Sequence, residues 1–184
     1  MRVIAGKYKG RTLFAPKDQA VRPTTDRIKE NVFNLVQGRV AGCRFLDLFG
    51  GSGAITAEAL SRGAASAVIV DASRDSAELI KKNFAKLGIG REGRILELSY
   101  DIALKRLAGE TFDLIYLDPP FRIESYEAIL SAILEVGVLA EEGLILFEHA
   151  TERAVPVPQG LRLFDSRKYG SVTIEILSFD PSDE

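Results

Sequence analysis

Asp118-Pro119-Pro120-Phe121 directly follows the apolar run Phe112–Leu117, and its residue types are suited to chemistry on an aromatic amine. Proline fixes φ and lacks a backbone donor, so the pair ends the strand and leaves carbonyl acceptors beside the Asp118 carboxylate. Acceptors without competing donors suit an exocyclic NH2 group, and Phe121 adds a flat apolar surface. A strand-ending turn capped by aspartate explains the four residues about equally well when they are taken alone.

A second candidate site is the glycine turn in Asp47-Leu-Phe-Gly-Gly-Ser-Gly53. Such a turn between a strand and a helix lets a ligand approach the backbone closely. Dinucleotide binding requires G-x-G-x-x-G, but Thr56 stands at the third glycine position, and no Gly-Lys-Ser/Thr follows as in a phosphate-binding loop. Both of these phosphate-binding hypotheses are therefore disfavoured.

Asp71 follows Asp47 by 24 positions and ends the next apolar run, Ala67–Asp71. Its two carboxylate oxygens are able to accept from both hydroxyls of a ribose. A single acidic residue at the end of a strand is more simply explained as a loop cap. The preceding glycine turn makes ribose binding the favoured interpretation of Asp71.

Alternating strands and helices are predicted to position these residues. Apolar runs alternate with segments of helical spacing, which predicts a doubly wound, mostly parallel α/β sheet with its ligands at the carboxyl ends of the strands. The last two strand-like segments leave no room for a helix between them, so they should form an antiparallel edge. The predicted strands span 44–49, 67–71, 94–99, 112–117, 143–148, 161–168 and 172–179, and the predicted helices span 25–37, 54–62, 74–87, 102–107 and 125–139.

The net charge of −2 is distributed unevenly over the 184 residues. The segment Met1–Lys29 has eight basic residues against two acidic ones, so an acidic body follows a basic arm, defined here as residues 1–21. Clustered Lys and Arg with interleaved aromatic residues can follow a phosphate backbone, and the acidic body would limit unspecific binding. An ordinary solvated hairpin face is the alternative. The candidate nucleic-acid contacts are Lys7, Lys9, Arg11 and Arg22.

Composition argues against several other classes of protein. No apolar stretch is long enough to span a bilayer and the N-terminus has no leader pattern, so we expect a cytoplasmic protein of one domain. The single cysteine, Cys43, excludes an intramolecular disulfide and a cysteine-based zinc cluster, and we expect it to be buried. His149 is the only histidine and is assigned no role; no metal site is expected.

Seven segments spread over nearly the whole chain form a recognisable set: Arg2–Gly6, Gly10-Arg11, Arg22–Arg27, Asp47–Gly53, Glu58–Arg62, Asp118–Phe121 and Tyr169-Gly170. Together they resemble the RsmD-type family of bacterial 16S rRNA guanine-N2 methyltransferases. The resemblance implies a Rossmann-like, class I S-adenosylmethionine-dependent methyltransferase domain at 22–184, preceded by an RNA-docking β-hairpin extension at 1–21. It also implies 16S rRNA or the assembling small subunit as the partner of a monomer that needs no metal.

The resemblance also implies roles for individual residues. Asp47 would receive the amino group of the cofactor, Asp71 its ribose and Asp101 its adenine amine, although Asp101 is equally suited to cap a helix. Phe49 replaces a frequent glycine, a variant familiar from amino-methyltransferases of nucleic acids. Arg22 is a candidate for RNA phosphate or for the segment that closes over the methionine end of the cofactor. The remaining implied cofactor contacts are Gly51, Ser52, Gly53, Thr24 and Thr25.

The chemistry expected of the site is methyl transfer to an amine. The Asp118 carboxylate and the Pro119 carbonyl would accept both amine hydrogens and turn the nitrogen lone pair toward the methyl group. Phe121 would stack on a base flipped out of the RNA, with Tyr169 as a candidate wall of the base pocket. A related enzyme acting on another RNA or DNA base remains an alternative, as does a non-catalytic ribosome-assembly factor.

Overall fold

The computed structural model describes residues 1–17 and 25–183. Strands and helices alternate from α1 to β5, and two further strands end the chain. The helices are α1 (Asp26–Leu35), α2 (Ala54–Ser61), α3 (Arg74–Leu87), α4 (Tyr100–Arg106) and α5 (Tyr126–Val136). The strands are β1 (Arg44–Asp47), β2 (Ser66–Val70), β3 (Gly93–Leu96), β4 (Phe112–Leu117), β5 (Leu139–Ala150), β6 (Leu161–Tyr169) and β7 (Val172–Phe179). Short 3-10 turns lie at Gln37–Arg39 and Pro181–Asp183.

The seven strands form one sheet in the order β3-β2-β1-β4-β5-β7-β6. Strands β1 to β5 are parallel, while β7 pairs antiparallel with both β5 and β6. This confirms the predicted Rossmann-like sheet with an antiparallel edge. The chain reverses its direction of travel across the sheet between β1 and β4, so the carboxyl ends of these strands flank the switch point where ligands of such sheets bind.

The predicted boundary between α5 and β5 is wrong by several residues. Helix α5 was expected to reach Leu139, but it ends at Val136 because Gly137 has a φ of 79° and closes the helix in the left-handed conformation. Leu139 instead pairs with Phe112 as the first residue of β5. The apolar spacing continues past the glycine, and for this reason the pattern alone did not show the end of the helix.

Side chains alternate between the two faces of the sheet and form two apolar layers. The first layer lies with α1, α2 and α3, and the second with α4 and α5. Strand residues of the first layer include Phe45, Leu114, Tyr116, Leu144 and Leu146; those of the second include Leu46, Ile115, Leu117, Ile145 and Phe147. Cys43 is buried as expected, and burial raises the pKa of its thiol to about 12.

The described part of the basic arm, residues 1–17, is a hairpin-like turn with a single antiparallel bridge between Arg2 and Thr12. Its residues Val3, Tyr8 and Leu13 are buried in the first apolar layer. The arm is therefore packed into the core of the molecule. The predicted boundary between residues 21 and 22 lies outside the described residues.

Candidate active site

A cavity of about 1340 Å³ opens where the carboxyl ends of β1, β2, β4 and β5 meet. It brings together most of the residues that the sequence singled out at separate strand ends. Of these, the cavity is lined by Thr25, Asp47, Phe49, Gly51, Ser52, Asp71, Asp101, Asp118, Pro119 and Phe121. Gly53 and Tyr169 lie outside the lining, and Arg22 and Thr24 lie outside the described residues.

The glycine turn connects β1 to α2 and depends on two left-handed residues. Gly51 and Gly53 have φ values of 58° and 84°, a conformation that side chains disfavour. Gly53 is also the N-cap of α2, and the first helical amide, that of Ala54, donates to the Ser52 hydroxyl oxygen at 3.3 Å. Among the described residues, the backbone N–H groups of Ser52 and Ile55 have no acceptor, so they are donors that the start of the helix keeps for a ligand.

Asp47 lies buried at the end of β1, below this turn. Its carboxylate accepts hydrogen bonds from the Thr56 hydroxyl at 3.0 Å and from the Phe49 backbone N–H at 3.3 Å. Burial raises the pKa of Asp47 to about 7, although these two bonds oppose the shift. A cationic group in the cavity would favour the ionised carboxylate. Thr56 therefore orients Asp47. From the sequence, Thr56 had served only as an argument against dinucleotide binding.

Asp71 joins the glycine turn to the end of β2. One carboxylate oxygen accepts from the Gly51 N–H and the other from the Ser73 N–H, each at 2.9 Å. Ser73 in turn caps α3 by accepting from the Ser76 N–H. Each carboxylate oxygen keeps a second acceptor position, so a structural role for Asp71 is compatible with ligand binding.

Two further cofactor candidates lie at helix starts. Asp101 is an exposed residue in the first turn of α4, where a hydrogen bond with the Ser99 side chain lowers its pKa. Thr25 caps α1, because its hydroxyl oxygen accepts from the Ile28 N–H at 3.2 Å. Both residues line the cavity, so capping and ligand contact remain compatible at each.

Asp118 and Glu148 lie side by side near the carboxyl edge of the sheet, Asp118 directly after β4 and Glu148 two residues before the end of β5. The residues before them, Leu117 and Phe147, are parallel partners, so both acids fall on the sheet face that also carries Tyr116. The Tyr116 hydroxyl donates to Glu148. Burial raises the pKa of Asp118 well above its usual range, and the charges of Glu148 and Asp47 raise it further. Glu148 is not among the site residues predicted from the sequence, although the predicted strand 143–148 ends at this acid.

Arg153 holds the backbone of the loop after β4, whereas the Phe121 ring of this loop is exposed. The Arg153 guanidinium donates to the carbonyls of Phe121 and Ile123 and lies 3.6 Å from the centroid of the Tyr126 ring. The Phe121 side chain is 79% exposed at the cavity. Pro119 is buried, and within the described residues no donor bonds to its carbonyl. The loop therefore offers a flat surface beside two oxygen acceptors, those of Asp118 and Pro119.

The candidate RNA contacts of the arm lie on its outer surface. Lys7, Lys9 and Arg11 are exposed, and Arg11 also donates to the Lys86 carbonyl on α3 at 2.6 Å. Tyr169 is half-buried against the first apolar layer, and its neighbours Lys168 and Gly170 line the cavity. The contact of Tyr169 with a bound base therefore stays a prediction.

Buried polar residues attach the arm to the body of the protein, and the sequence did not reveal this. Glu58 accepts from the Ile4 and Ala5 backbone N–H groups at 2.9 and 3.1 Å, and it also faces the buried Lys29 at 3.4 Å. Asn83, on α3, donates to the Phe14 carbonyl of the arm and to the Ser52 carbonyl of the glycine turn. The arm and the glycine turn therefore share a support.

Two features are absent from the described residues. Across 1–17 and 25–183, no group of three or more His, Cys, Asp and Glu side chains has the geometry of a metal site. In the same part of the chain, no helix has the length and apolar character needed to cross a membrane.

Comparisons with known proteins agree with this geometry. The family described as "Conserved hypothetical protein 95" matches residues 1–178. YlbH of Bacillus subtilis, named as a candidate rRNA methyltransferase, is 37% identical over 96% of this chain and 97% of its own. Ribosomal RNA small subunit methyltransferase D of Escherichia coli K12 is 34% identical over 96% of this chain and 88% of its own. A solved structure of yhhF from E. coli, named as a candidate methyltransferase, shares 31% identity and a TM-score of 0.87, with 98% of both chains covered.

Proposed function

The chain belongs to the family of ribosomal RNA small subunit methyltransferase D, and we propose that it transfers a methyl group from S-adenosylmethionine to the exocyclic N2 amine of a guanine in 16S ribosomal RNA. One observation carries the proposal: the acceptor loop Asp118–Phe121 opens into the same cavity as the glycine turn. An amine bound at the loop would therefore lie next to a cofactor bound at the turn.

The donor set of the cavity fits S-adenosylmethionine. Asp47 lies where a carboxylate would receive the cationic amino group, and Asp71 offers acceptor positions for ribose hydroxyls. Amides of the glycine turn and the Thr25 hydroxyl supply polar contacts to the methionine end, and Asp101 lies on the wall suited to the adenine amine. The volume of about 1340 Å³ exceeds the usual range for one small ligand, which leaves room for a base beside the cofactor.

The residues of the loop would perform the transfer by orientation and charge. Bound S-adenosylmethionine supplies a methyl group that is already electrophilic, so the protein has little to activate. Asp118 and the Pro119 carbonyl accept the two amine hydrogens and aim the nitrogen lone pair. The raised pKa of Asp118 also suits it to take the proton that the alkylated nitrogen loses. The exposed Phe121 ring stacks on the flipped base.

The RNA would be held by the arm as well as by the cavity. Lys7, Lys9 and Arg11 are exposed cations on one turn, which contacts Ser61 and Lys86 at the carboxyl ends of α2 and α3. An RNA bound there would run along these helices toward the cavity. The charge of the three cations would neutralise backbone phosphates. The identity of the base as guanine follows from the family, since two acceptors and a flat ring serve any base with an exocyclic amine.

The decisive experiment incubates the purified protein with labelled S-adenosylmethionine and unmodified small subunits, naked 16S RNA or DNA, and then maps the product by mass spectrometry. We expect label on a guanine N2 of 16S RNA. Label only in DNA, or on another base, would overturn the proposed substrate.

Asp118→Ala tests the mechanism in the same assay. We expect transfer to fall by at least about 100-fold, as when an oriented acceptor of developing charge is lost, while cofactor affinity is kept. The matched control is Glu152→Ala, which removes an exposed carboxylate at the rim of the same cavity. Near-normal turnover of Asp118→Ala would refute the proposed role.

A further inference from the structure

Glu148 is a second carboxylate in the base-binding part of the cavity that the proposed transfer does not use. It is only 8% exposed, yet it contributes to the cavity lining together with Asp118. The two residues follow paired positions of neighbouring parallel strands, which lie about 4.8 Å apart. Two carboxylates thus lie side by side on one face of the sheet.

Tyr116 fixes which way the Glu148 carboxylate faces. The Tyr116 ring is fully buried, and burial together with the charge of Glu148 raises the pKa of its hydroxyl well above the usual value. The hydroxyl therefore stays protonated and donates to Oε2 of Glu148. Oε1 has no hydrogen-bond partner among the described residues, and the residue reaches the cavity wall. Glu148 is thus an oriented acceptor with one oxygen available to a ligand.

The edge of guanine that carries the N2 amine matches two adjacent acceptors. Guanine presents an N1–H donor next to the N2 amine, and both point in the same direction. Adenine and 2-aminopurine instead present a bare N1 acceptor at that position. An ionised carboxylate beside the amine pocket would accept from the guanine N1–H and repel a bare N1. Because burial raises the pKa of Glu148, the guanine contact must also supply the free energy of keeping this carboxylate ionised.

We propose that Glu148 selects guanine by accepting the N1–H through Oε1, while Asp118 and the Pro119 carbonyl hold the N2 amine. This inference rests on the proposed function, namely methyl transfer to guanine N2. Tyr116 acts as a positioning residue that keeps Oε1 toward the base. The competing role of Glu148 is to bind the amino group of the cofactor. A charge-neutral substitution would change the preference for guanine if Glu148 contacts the base, and it would change cofactor affinity if Glu148 contacts the cofactor.

Glu148→Gln reverses the polarity of the contact at nearly constant shape. Tyr116 would continue to donate to the single amide oxygen, which turns the amide NH2 toward the base. That NH2 opposes a guanine N1–H but can donate to the bare N1 of 2-aminopurine. Glu152→Gln removes a charge from the exposed rim of the same cavity and serves as the matched control.

The test uses small-subunit RNA in which the mapped target carries either guanine or 2-aminopurine, prepared by ligation and reconstituted into subunits. For the wild type we expect kcat/KM to favour guanine by about 10- to 100-fold, the contribution of one charged hydrogen bond. In Glu148→Gln this preference should fall at least tenfold, with cofactor affinity by calorimetry changed less than threefold. Glu152→Gln should keep the wild-type preference. Contacts to O6 are lost with 2-aminopurine in every variant, so the comparison isolates Glu148.

The outcomes separate this inference from the proposed function. A wild type that methylates no guanine would refute the function itself. Equal use of both bases by the wild type, or an unchanged preference in a folded Glu148→Gln, would overturn the role of Glu148 alone. So would a tenfold loss of cofactor affinity with intact preference. Tyr116→Phe removes only a hydroxyl; it should lower the preference, and it keeps the inference testable if Glu148→Gln does not fold.

Discussion

The protonation of Asp47 should control how tightly the cofactor binds near neutral pH. Asp47 is buried at the end of β1, and its pKa is raised from 3.8 to about 7 by burial. In the proposed complex its carboxylate receives the cationic amino group of S-adenosylmethionine. Only the ionised carboxylate makes this contact well, so binding must supply the free energy of removing a proton below neutrality.

The size of the effect follows from that pKa. With a pKa of about 7, the ionised fraction of Asp47 rises about tenfold between pH 6 and pH 8, and the association constant should rise with it. The α-amino group of the ligand must stay protonated for this contact, so affinity should decline again at a pH high enough to deprotonate it. The association constant is therefore expected to rise from pH 6 to about pH 8 before that decline.

Calorimetric titration of the protein with S-adenosylhomocysteine from pH 6 to pH 9 measures this profile, and buffers of different ionisation enthalpy report the protons released. Asp47→Asn should lower affinity at pH 8 by about tenfold or more, the value of a charged hydrogen bond, and should abolish the rising limb. Glu152→Gln is the control, because it removes an exposed carboxylate at the rim of the same cavity to which no cofactor contact is assigned; it should keep both the affinity and the rising limb.

Either of two results would refute the reasoning. One is a wild-type affinity that does not change between pH 6 and pH 7; the other is a rising limb that survives in Asp47→Asn.

The free energy of unfolding should fall over the pH range in which cofactor affinity rises. Since folding raises the pKa of Asp47, its contribution to the free energy of unfolding is fully present below about pH 3.8 and is lost as the pH rises through about 7. Asp47→Asn should remove that loss.

Three further predictions concern residues that support the site or contact the RNA. Glu58→Gln should lower the free energy of unfolding in urea by about 3 to 5 kcal/mol, because it removes the buried carboxylate that Lys29 and Arg62 share and leaves Lys29 only the longer ion pair with Asp26. A loss below about 1 kcal/mol, similar to that of the exposed control Glu141→Gln, would contradict this. Replacing Lys7 and Lys9 with Ala should weaken RNA binding uniformly and reduce the salt slope by about 2, whereas an unchanged slope would show that the arm is structural. Arg153→Met should release the Phe121 loop and reduce kcat/KM for RNA by about tenfold at unchanged cofactor affinity. Arg153→Lys should not restore kcat/KM, since only the planar guanidinium donates to two carbonyls while lying over the Tyr126 ring. Full activity of the lysine variant would argue against this role.

Local patterns were sufficient to predict the strands, the turns and several acids of the site. Asp47, Asp71 and Asp118 each end an apolar run, and in an alternating α/β chain the carboxyl ends of parallel strands meet at one edge. The glycines of the turn between β1 and α2 were recognisable because their left-handed φ values exclude most other residues. The least certain positions were element ends, as at Gly137, where apolar spacing continued beyond the helix.

The amino-acid sequence by itself determined the sheet class, the glycine turn and the acceptor loop, because backbone propensity and side-chain period act between near neighbours in the chain. Only the tertiary structure decided which of these residues act together. Glu148 becomes an oriented acceptor only because the register of β4 and β5 sets it beside Asp118 and within reach of Tyr116. Likewise, the apolar side chains of the basic arm join the core because Glu58 and Asn83 bond to the backbone of the arm. Each of these bonds joins residues more than 50 positions apart in the chain. Such contacts depend on register and packing between distant segments, and no local pattern encodes them.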